Sequence, residues 1–312
     1  MHKAQSIFEG LEVIMITPFK SDYELNIPAL KEHTRFLIDS GIRKGVGSLL
    51  VGGAGGEGPQ MTTDESLKAV EAVMDEANGE VPAILGCYAN DTATAIKMLK
   101  RAEDIGVEAA QISPTYHHKP SDEEVFQHYK RVNDSIDIGI CIYNTPWSSG
   151  ADLKPDIISR LVELENTVAL KWSSYDWANY TKVYSLFSDK INMVDNMFPY
   201  GGTWFHVLGA KSTLTAIANW APKYELNQWN LIKNKEYDQA HKEIMRFNLP
   251  YYHLVDDFTQ EGVTGEGSHW KGGMFLVGKE ELAGPPRPPH MPYNESQKKR
   301  LKELWDKSGV TG

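Results

Sequence analysis

Short apolar runs alternate with amphipathic segments along the first two thirds of the chain. Between the runs, helix signals recur, as in residues 62–79, where Thr62 and Glu65 fit a capping box and Gly79 ends the pattern. Strands that are buried on both faces read as short, almost continuous apolar stretches. The alternation therefore predicts βα units and a parallel sheet. The predicted strands are residues 11–19, 45–53, 81–89, 109–115, 138–146, 167–174, 191–197 and 212–220.

Eight such units predict an α/β fold in which residues 1–222 close into a (β/α)8 TIM barrel, since this fold needs roughly 250 residues. An open, doubly wound sheet is the second possibility. After Pro222 the pattern changes to helix-like stretches with no strand between them. We therefore expect a C-terminal helical extension over residues 223–312.

Composition narrows the range of partners. The chain has 312 residues, 41% of them hydrophobic, and a formal net charge of -10, which is typical of a soluble globular protein. The acidic balance disfavours nucleic acid and anionic membranes, and no window reaches the length of an apolar membrane span. A cytoplasmic location is the expectation. Cys87 and Cys141 lie inside apolar runs and are expected to be buried thiols.

A glycine-rich stretch, GGAGGEG, follows the second predicted strand at Gly52–Gly58. From Gly53 it matches G-x-G-x-x-G, the pattern of dinucleotide-binding loops. Pro59 and Gln60, however, separate these glycines from the next helix, whereas a dinucleotide loop leads directly into one. The match is therefore interpreted as accidental, and the glycines as a loop whose backbone amides can approach a small anion.

In a barrel, chemistry lies at the carboxyl ends of the strands, because only those loops converge over one opening. Lys171 ends the sixth predicted strand and Tyr143 ends the fifth. A lysine so placed can extend into solvent, form an ion pair, or occupy a partly desolvated pocket where the neutral amine becomes a nucleophile for a ketone. Tyr143 could transfer a proton beside it, or simply pack in the core.

The G-x-x-G-E loop, the Y-N-x-P end of the fifth strand and the lysine that ends the sixth, in this order, resemble the dihydrodipicolinate synthase / N-acetylneuraminate lyase family. The resemblance extends from ITPF at residues 16–19 to GPPRPP at residues 284–289. It implies a barrel with C-terminal helices, assembled as a homotetramer. It also implies a class I aldolase that uses or releases pyruvate and needs no cofactor beyond the covalent imine.

Carried over by matching positions, the resemblance makes Lys171 the Schiff-base lysine and Tyr143 the proton shuttle. Backbone amides of the loop at residues 54–56 would hold the pyruvate carboxylate. Tyr116 stands where the family often has an aromatic residue that reaches a neighbouring subunit's site. The substrate-binding candidates are Ala54, Gly55, Gly56, Tyr116, Trp147, Ser148 and Ala218.

Two departures from the family change the expected proton path and the expected substrate. Ala54 and Gly55 stand where relatives carry hydroxyl residues, so a relay through a loop hydroxyl is missing. Trp147 follows Y-N-x-P where dihydrodipicolinate-forming members carry an arginine for the second substrate's carboxylate, which argues against that reaction. Four tryptophans near the strand ends indicate a bulky or aromatic aldehyde: Trp147, Trp172, Trp204 and Trp220.

The expected function is a lyase that cleaves a 2-oxo acid to pyruvate and an aldehyde, or forms it from them. A 2-keto-3-deoxy sugar-acid dehydratase or a hydratase-aldolase of the same family is the nearest alternative, and a non-catalytic keto-acid-binding relative is another. A metal-dependent barrel enzyme would draw its ligands from His117, His118, Glu57 and Asp195, but no H-x-H or E-x-x-H pair supports it. No metal is therefore predicted.

Overall fold

Eight parallel strands close into a barrel in chain order, which confirms the predicted (β/α)8 fold. The computed structural model describes residues 3–114, 119–149 and 151–312. Each predicted apolar run overlaps one strand, although the first strand begins one residue before its run. Each run is longer than its strand because the buried pattern continues into the adjoining loops. The strands are β1 (Gly10–Ile14), β2 (Gly47–Val51), β3 (Ala83–Cys87), β4 (Ala109–Ile112), β5 (Gly139–Asn144), β6 (Thr167–Trp172), β7 (Asn192–Asp195) and β8 (Ser212–Thr215).

Helices that alternate with the strands surround the barrel. The predicted capping box at Thr62 and Glu65 is present at the start of α2, and Ser121 and Glu124 form a second one at α4. These helices are α1 (Ile27–Asp39), α2 (Thr63–Ala77), α3 (Thr92–Ile105), α4 (Asp122–Asn133), α5 (Pro146–Ser149), α6 (Pro155–Leu161), α7 (Trp177–Phe187), α8 (Trp204–Val207) and α9 (Pro222–Lys233).

The chain after α9 is helical, as expected. Helix α9 itself packs against β1 and follows the eighth strand, so it completes the last βα unit. The division at residue 222 stays a prediction. The later helices are α10 (Tyr237–Glu243), a π-helical turn (Ile244–Asn248), α11 (Leu249–Gln260), α12 (Glu266–Lys271), α13 (Glu280–Ala283) and α14 (Glu295–Ser308). Short 3-10 helices are Gln5–Phe8, Ala54–Gly56, Gly58–Gln60, Ile217–Asn219 and Met274–Val277.

Alternate residues of each strand face either the helices or the barrel interior, as the two-residue period of a strand requires. Leu49 and Val51 pack outward, in the cluster shared with the helices. Leu50 belongs to a second buried cluster, which also contains Phe8 from the N-terminal segment and Trp270 from α12. The interior apolar core is therefore continuous with the C-terminal helices, and α12 lies against the loop that follows β2.

Cys87 and Cys141 are free and fully buried, as expected, and burial raises the pKa of the Cys87 thiol to about 12. Within residues 3–114, 119–149 and 151–312, no helix has the length and apolar character needed to cross a membrane.

Candidate active site

Lys171 and Tyr143 are neighbours across β5 and β6, whose register pairs them directly. The Lys171 Nζ lies 4.5 Å from the centroid of the Tyr143 ring. The Lys171 side chain is buried, with 4% of its surface exposed. Its amine has neither a hydrogen bond nor an ion pair with any residue in the described part of the chain. The structure thus brings together the two residues that sequence analysis placed at the centre of the chemistry.

Glu12 is a second titratable group in the barrel interior, and sequence analysis did not single it out. It lies on β1, is fully buried, and neither carboxylate oxygen has a hydrogen-bond partner among the described residues. Burial raises the pKa of Glu12 to about 7, and the charge of Lys171 acts in the opposite direction. The available signal was a lone acidic residue within the otherwise apolar run LEVIMI.

The Tyr143 hydroxyl has one polar partner. Its Oη lies 2.9 Å from Ser148 Oγ, and Ser148 belongs to the short helix α5 that begins at Pro146. The Tyr143 ring also meets the Tyr88 ring edge-on, at 5.6 Å between centroids. Ser148 was predicted to bind substrate. In the structure it contacts the hydroxyl of Tyr143, the residue that is expected to transfer the proton.

The glycine-rich loop departs from the predicted anion site. Residues 54–56 form a 3-10 turn in which the Gly56 N–H donates to Gly53 O at 2.9 Å. The Ala54 N–H donates to Tyr88 Oη, also at 2.9 Å. Of the three amides predicted to hold a carboxylate, only that of Gly55 has no acceptor among the described residues. The turn itself occupies the Gly56 amide and Tyr88 occupies that of Ala54, whereas an extended loop without these contacts would leave both free.

Glu57, the acidic residue of the G-x-x-G-E motif, is part of the scaffold. It is buried in the left-handed conformation, at φ 62°, and its Oε2 pairs with Lys271 Nζ of α12 at 2.6 Å. Its Oε1 accepts the Arg287 N–H at 2.6 Å. Arg287 comes from the GPPRPP segment, so this one carboxylate fixes two distant parts of the C-terminal region to the loop after β2.

A cavity of about 650 Å³ opens above Lys171 between the barrel and the C-terminal helices. Asp256 and Glu266 also line it, and Lys171 is the only lysine or arginine among its described lining residues. The other charged residues of the described lining are therefore acidic, and the rest are apolar, aromatic or uncharged polar side chains. Its aromatic lining residues are Trp147, Tyr175, Trp177, Phe198, Tyr200, Tyr252 and Trp270.

Ala218 was predicted to contact substrate, and the structure places it elsewhere. Its N–H donates to Thr215 Oγ1 in the 3-10 turn after β8, and its side chain packs in the outer cluster. Leu214 and Ala216 line the cavity instead. The reason is that β8 ends at Thr215, and the 3-10 turn Ile217–Asn219 breaks the two-residue period before it reaches Ala218.

Of the four tryptophans expected near the strand ends, Trp147 lines the cavity and the other three do not. Trp172 faces outward and donates its indole N–H to Tyr180 O, Trp220 is fully buried, and Trp204 is half exposed without lining the cavity. Trp177 and Trp270 line it instead, although they are not at strand ends. Sequence position alone could not find them, because they reach the cavity from helices. Tyr116 lies outside the described residues.

Two of the candidate ligands for a metal ion are already engaged by other residues of the protein. Glu57 is engaged by Lys271, and Asp195 accepts hydrogen bonds from Tyr180 Oη and the Met197 N–H, each at 2.8 Å. His117 and His118 lie outside the described residues. No group of three or more potential ligands suited to a metal ion occurs in the part of the chain that the structure describes.

Comparison with known proteins agrees with this geometry. The sequence model of the dihydrodipicolinate synthetase family matches residues 7–307. A 4-hydroxy-tetrahydrodipicolinate synthase of Methanosphaera stadtmanae is 32% identical over 237 residues, which are 74% of this chain and 78% of that protein. The enzyme of the same name from Methanothrix thermoacetophila is 28% identical over 312 residues, covering 98% of this chain and 99% of the relative.

A crystal structure of dihydrodipicolinate synthase from Thermotoga maritima superposes with a TM-score of 0.85 at 24% identity, over 97% of this chain and 99% of that one. It is similar in fold. The names of these relatives run against the expectation that this chain does not form dihydrodipicolinate. They agree with the expected enzyme class, a pyruvate-dependent lyase that acts through a lysine Schiff base. The chain therefore belongs to the dihydrodipicolinate synthetase family.

Proposed function

We propose that this protein is a class I aldolase in which Lys171 forms an imine with a 2-oxo acid. The observation that carries the proposal is the Lys171 amine, which is buried at the base of the cavity, has no ion-pair partner among the described residues, and lies 4.5 Å from the Tyr143 ring. An amine held in this way is available to attack a ketone. The imine then serves as the electron sink, so the reaction needs no separate cofactor.

The proposed steps use these two residues in turn. Lys171 Nζ adds to the C2 ketone, and Tyr143 gives its proton to the C2 hydroxyl, which leaves as water. The resulting phenolate takes the proton of the C4 hydroxyl as the C3–C4 bond breaks, and the electron pair of that bond moves to the iminium to form an enamine. An aldehyde leaves. Tyr143 returns the proton to C3, and water hydrolyses the iminium to release pyruvate.

Ser148 is the proposed replacement for the missing loop hydroxyls. Ala54 and Gly55 offer no hydroxyl, but Ser148 Oγ lies 2.9 Å from Tyr143 Oη. A hydroxyl in this position can hold the phenol and accept or donate as its charge changes. The proton path would therefore run over the loop after β5 rather than the loop after β2.

For the aldehyde, we infer a flat apolar or aromatic group without a carboxylate. Trp147, Trp177 and Tyr252 offer ring surfaces to such a group, whereas Asp256 and Glu266 would repel an anion. The names of the relatives make dihydrodipicolinate synthesis the second candidate, in which an amino-acid semialdehyde would be the acceptor. A dehydratase outcome would begin from the same imine.

The test is to trap the imine and then vary the aldehyde. Incubation with pyruvate and sodium borohydride should attach a reduced adduct to Lys171, as mapped by peptide mass spectrometry, and Lys171→Ala should abolish it. Lys271, the other buried lysine discussed above, should remain unmodified and serves as an internal control. Absence of an adduct at saturating pyruvate would reject the Schiff-base assignment.

The aldehyde panel compares an aromatic aldehyde, a hydroxylated sugar aldehyde and an amino-acid semialdehyde. We expect the highest kcat/KM for the aromatic one, and a preference for the semialdehyde would favour the second candidate. Adduct formation without turnover of any aldehyde would indicate a keto-acid-binding relative. Assembly as a homotetramer also stays a prediction, and Tyr116, the expected inter-subunit contact, lies outside the described residues.

A further inference from the structure

Asp195 anchors two segments that line the cavity above Lys171. It is the last residue of β7 and is fully buried on the outer side of the barrel, since its neighbour Val194 faces the interior. Val194 is paired in register with Lys171. The anchor therefore follows directly after the strand position that adjoins the proposed Schiff-base lysine.

The first anchored segment is the loop after β7, residues 196–203. The Met197 N–H donates to Asp195 Oδ1 at 2.8 Å, and the Tyr200 N–H donates to Met197 O at 2.9 Å. Asp195 thus fixes the start of the loop, and the turn transmits that position to Tyr200. The residues that this loop contributes to the cavity lining are Asn196, Met197, Phe198 and Tyr200.

The second segment is the start of α7. The hydroxyl of Tyr180, one turn into this helix, donates to Asp195 Oδ1 at 2.8 Å. The Tyr180 ring packs against the ring of Trp177, at 5.6 Å between centroids, and Trp177 lines the cavity. Thr213 Oγ1 of β8 donates to the other carboxyl oxygen at 3.3 Å. Both oxygens of Asp195 are therefore engaged, and its effect on Trp177 is transmitted through Tyr180.

The two aromatic rings at the ends of these contacts depend on such support. Trp177 and Tyr200 are 46% and 49% exposed, so packing holds only about half of each side chain. Their positions are set by the Tyr180 ring and by the backbone of the loop after β7, both of which Asp195 holds in place. A binding wall that is already ordered spares the ligand the entropic cost of ordering it.

We propose that Asp195 is the positioning residue for the aldehyde, because it holds the loop after β7 and Trp177 against the cavity. Among the described residues, its hydrogen bonds go to Tyr180, Met197 and Thr213, and none goes to Lys171 or Tyr143. Molecules in which the wall is out of place would bind the aldehyde weakly, so the apparent affinity falls with the fraction that has it in place. This inference rests on the proposed aldolase function and identifies the residue that organises its acceptor side.

The test separates aldehyde binding from imine formation. Asp195→Ala removes both carboxyl oxygens and leaves the Tyr180 hydroxyl and the Met197 N–H without this acceptor. At saturating pyruvate, we expect the KM for benzaldehyde in the condensation reaction to rise about 10-fold, the fold-change that corresponds to one hydrogen bond. The kcat should be unchanged, as should the pyruvate concentration that gives half-maximal borohydride trapping at Lys171.

Asp195→Asn is the conservative variant. Its amide keeps a carbonyl oxygen for Tyr180 and Met197, and its NH₂ group can donate to Thr213 Oγ1. The KM for benzaldehyde should therefore return close to the wild-type value. An Asn variant that behaves like Asp195→Ala would contradict the proposal, since the same acceptor would then be present without its effect.

Tyr180→Phe and Tyr224→Phe form a matched pair. Each removes one buried phenolic hydroxyl, but Tyr180 connects Asp195 to Trp177, whereas Tyr224 donates to Glu243 O at 2.6 Å and does not line the cavity. Tyr180→Phe should reproduce part of the rise in the KM for benzaldehyde. Tyr224→Phe should leave both the KM and the trapping of pyruvate unchanged.

Equal weakening of benzaldehyde and pyruvate in Asp195→Ala would overturn the proposal, because a general packing defect does not distinguish the two ligands. An unchanged KM for benzaldehyde in the folded variant would overturn it as well. Thermal unfolding identifies a variant that fails to fold, and Tyr180→Phe then decides the outcome. Failure of the underlying function gives a different result, since the wild-type protein would then form no adduct at Lys171 or turn over no benzaldehyde.

Discussion

Two lysines are buried near the carboxyl end of the barrel, and their surroundings differ in one respect. Lys171 and Lys271 are 4% and 6% exposed, and each amine lies 4.5 Å from an aromatic ring, that of Tyr143 or that of Phe19. Lys271 Nζ has a carboxylate, Glu57, at 2.6 Å and a carbonyl acceptor, Pro285 O. Lys171 Nζ has no such partner among the described residues.

The difference separates a structural lysine from the lysine that we propose to be reactive. Burial lowers the pKa of Lys271 while the charge of Glu57 acts to raise it, so the pair compensates for its own desolvation. An amine without a contacting carboxylate gains no such compensation, and folding alone gives no reason to retain it. Burial of a lysine is therefore weak evidence for a catalytic role, whereas burial without a polar partner is stronger evidence.

The largest effect that tests this comparison is expected from Lys171→Met. Activity should fall by on the order of 10⁴-fold or more, as when a covalent nucleophile is removed. The free energy of unfolding should stay the same or rise, because a buried amine without a partner among the described residues is replaced by an apolar side chain of similar length. Turnover assays and chemical denaturation at pH 7 measure both. A marked loss of stability would contradict the assignment, since it would mean that Lys171 has a structural partner.

Lys271→Met should give the opposite result. Removing this lysine leaves Glu57 buried and unpaired, which is expected to lower the free energy of unfolding by about 3–5 kcal/mol. The same denaturation experiment measures it. The double variant Glu57→Gln/Lys271→Met should recover part of that loss, because it no longer buries a charge. If Lys271→Met were as stable as Lys171→Met, the contrast between the two lysines would be wrong.

The fold was predictable because its signals are local and repeated. Each of the eight apolar runs is long enough to identify a buried strand, and the capping box at Thr62 and Glu65 is complete within four residues. Strand order then places Lys171 beside Tyr143 at the barrel opening. Element boundaries were less accurate, since the apolar pattern does not stop where strand pairing stops.

The site was predictable only where it is built from strand ends. Trp270 reaches the cavity from α12 and packs against Gly55, a residue far away in the sequence. Glycine at this position predicted backbone amides for an anion, whereas the space is taken by an indole. Ala218 was misplaced, because the apolar run did not indicate that β8 ends at Thr215 and that a 3-10 turn follows it. Packing between distant segments decides such details, and one sequence does not contain that information.

The substitution Glu12→Gln tests the comparison of the two lysines through the pH dependence of stability. Glu12 acts on Lys171 from a distance, whereas Glu57 contacts Lys271. The pKa of Glu12 is raised from 4.5 to about 7, so the folded protein binds a proton that the unfolded chain has already lost. This contribution to stability is complete below pH 4.5 and is lost as pH rises through 7. Denaturation between pH 4.5 and 8 should therefore show wild-type stability falling relative to Glu12→Gln, by about 3 kcal/mol in total. In Lys171→Met the fall in stability should extend to higher pH, since the charge that holds the Glu12 pKa down is gone. Parallel pH curves for the wild type and Lys171→Met would show that Glu12 and Lys171 are not coupled.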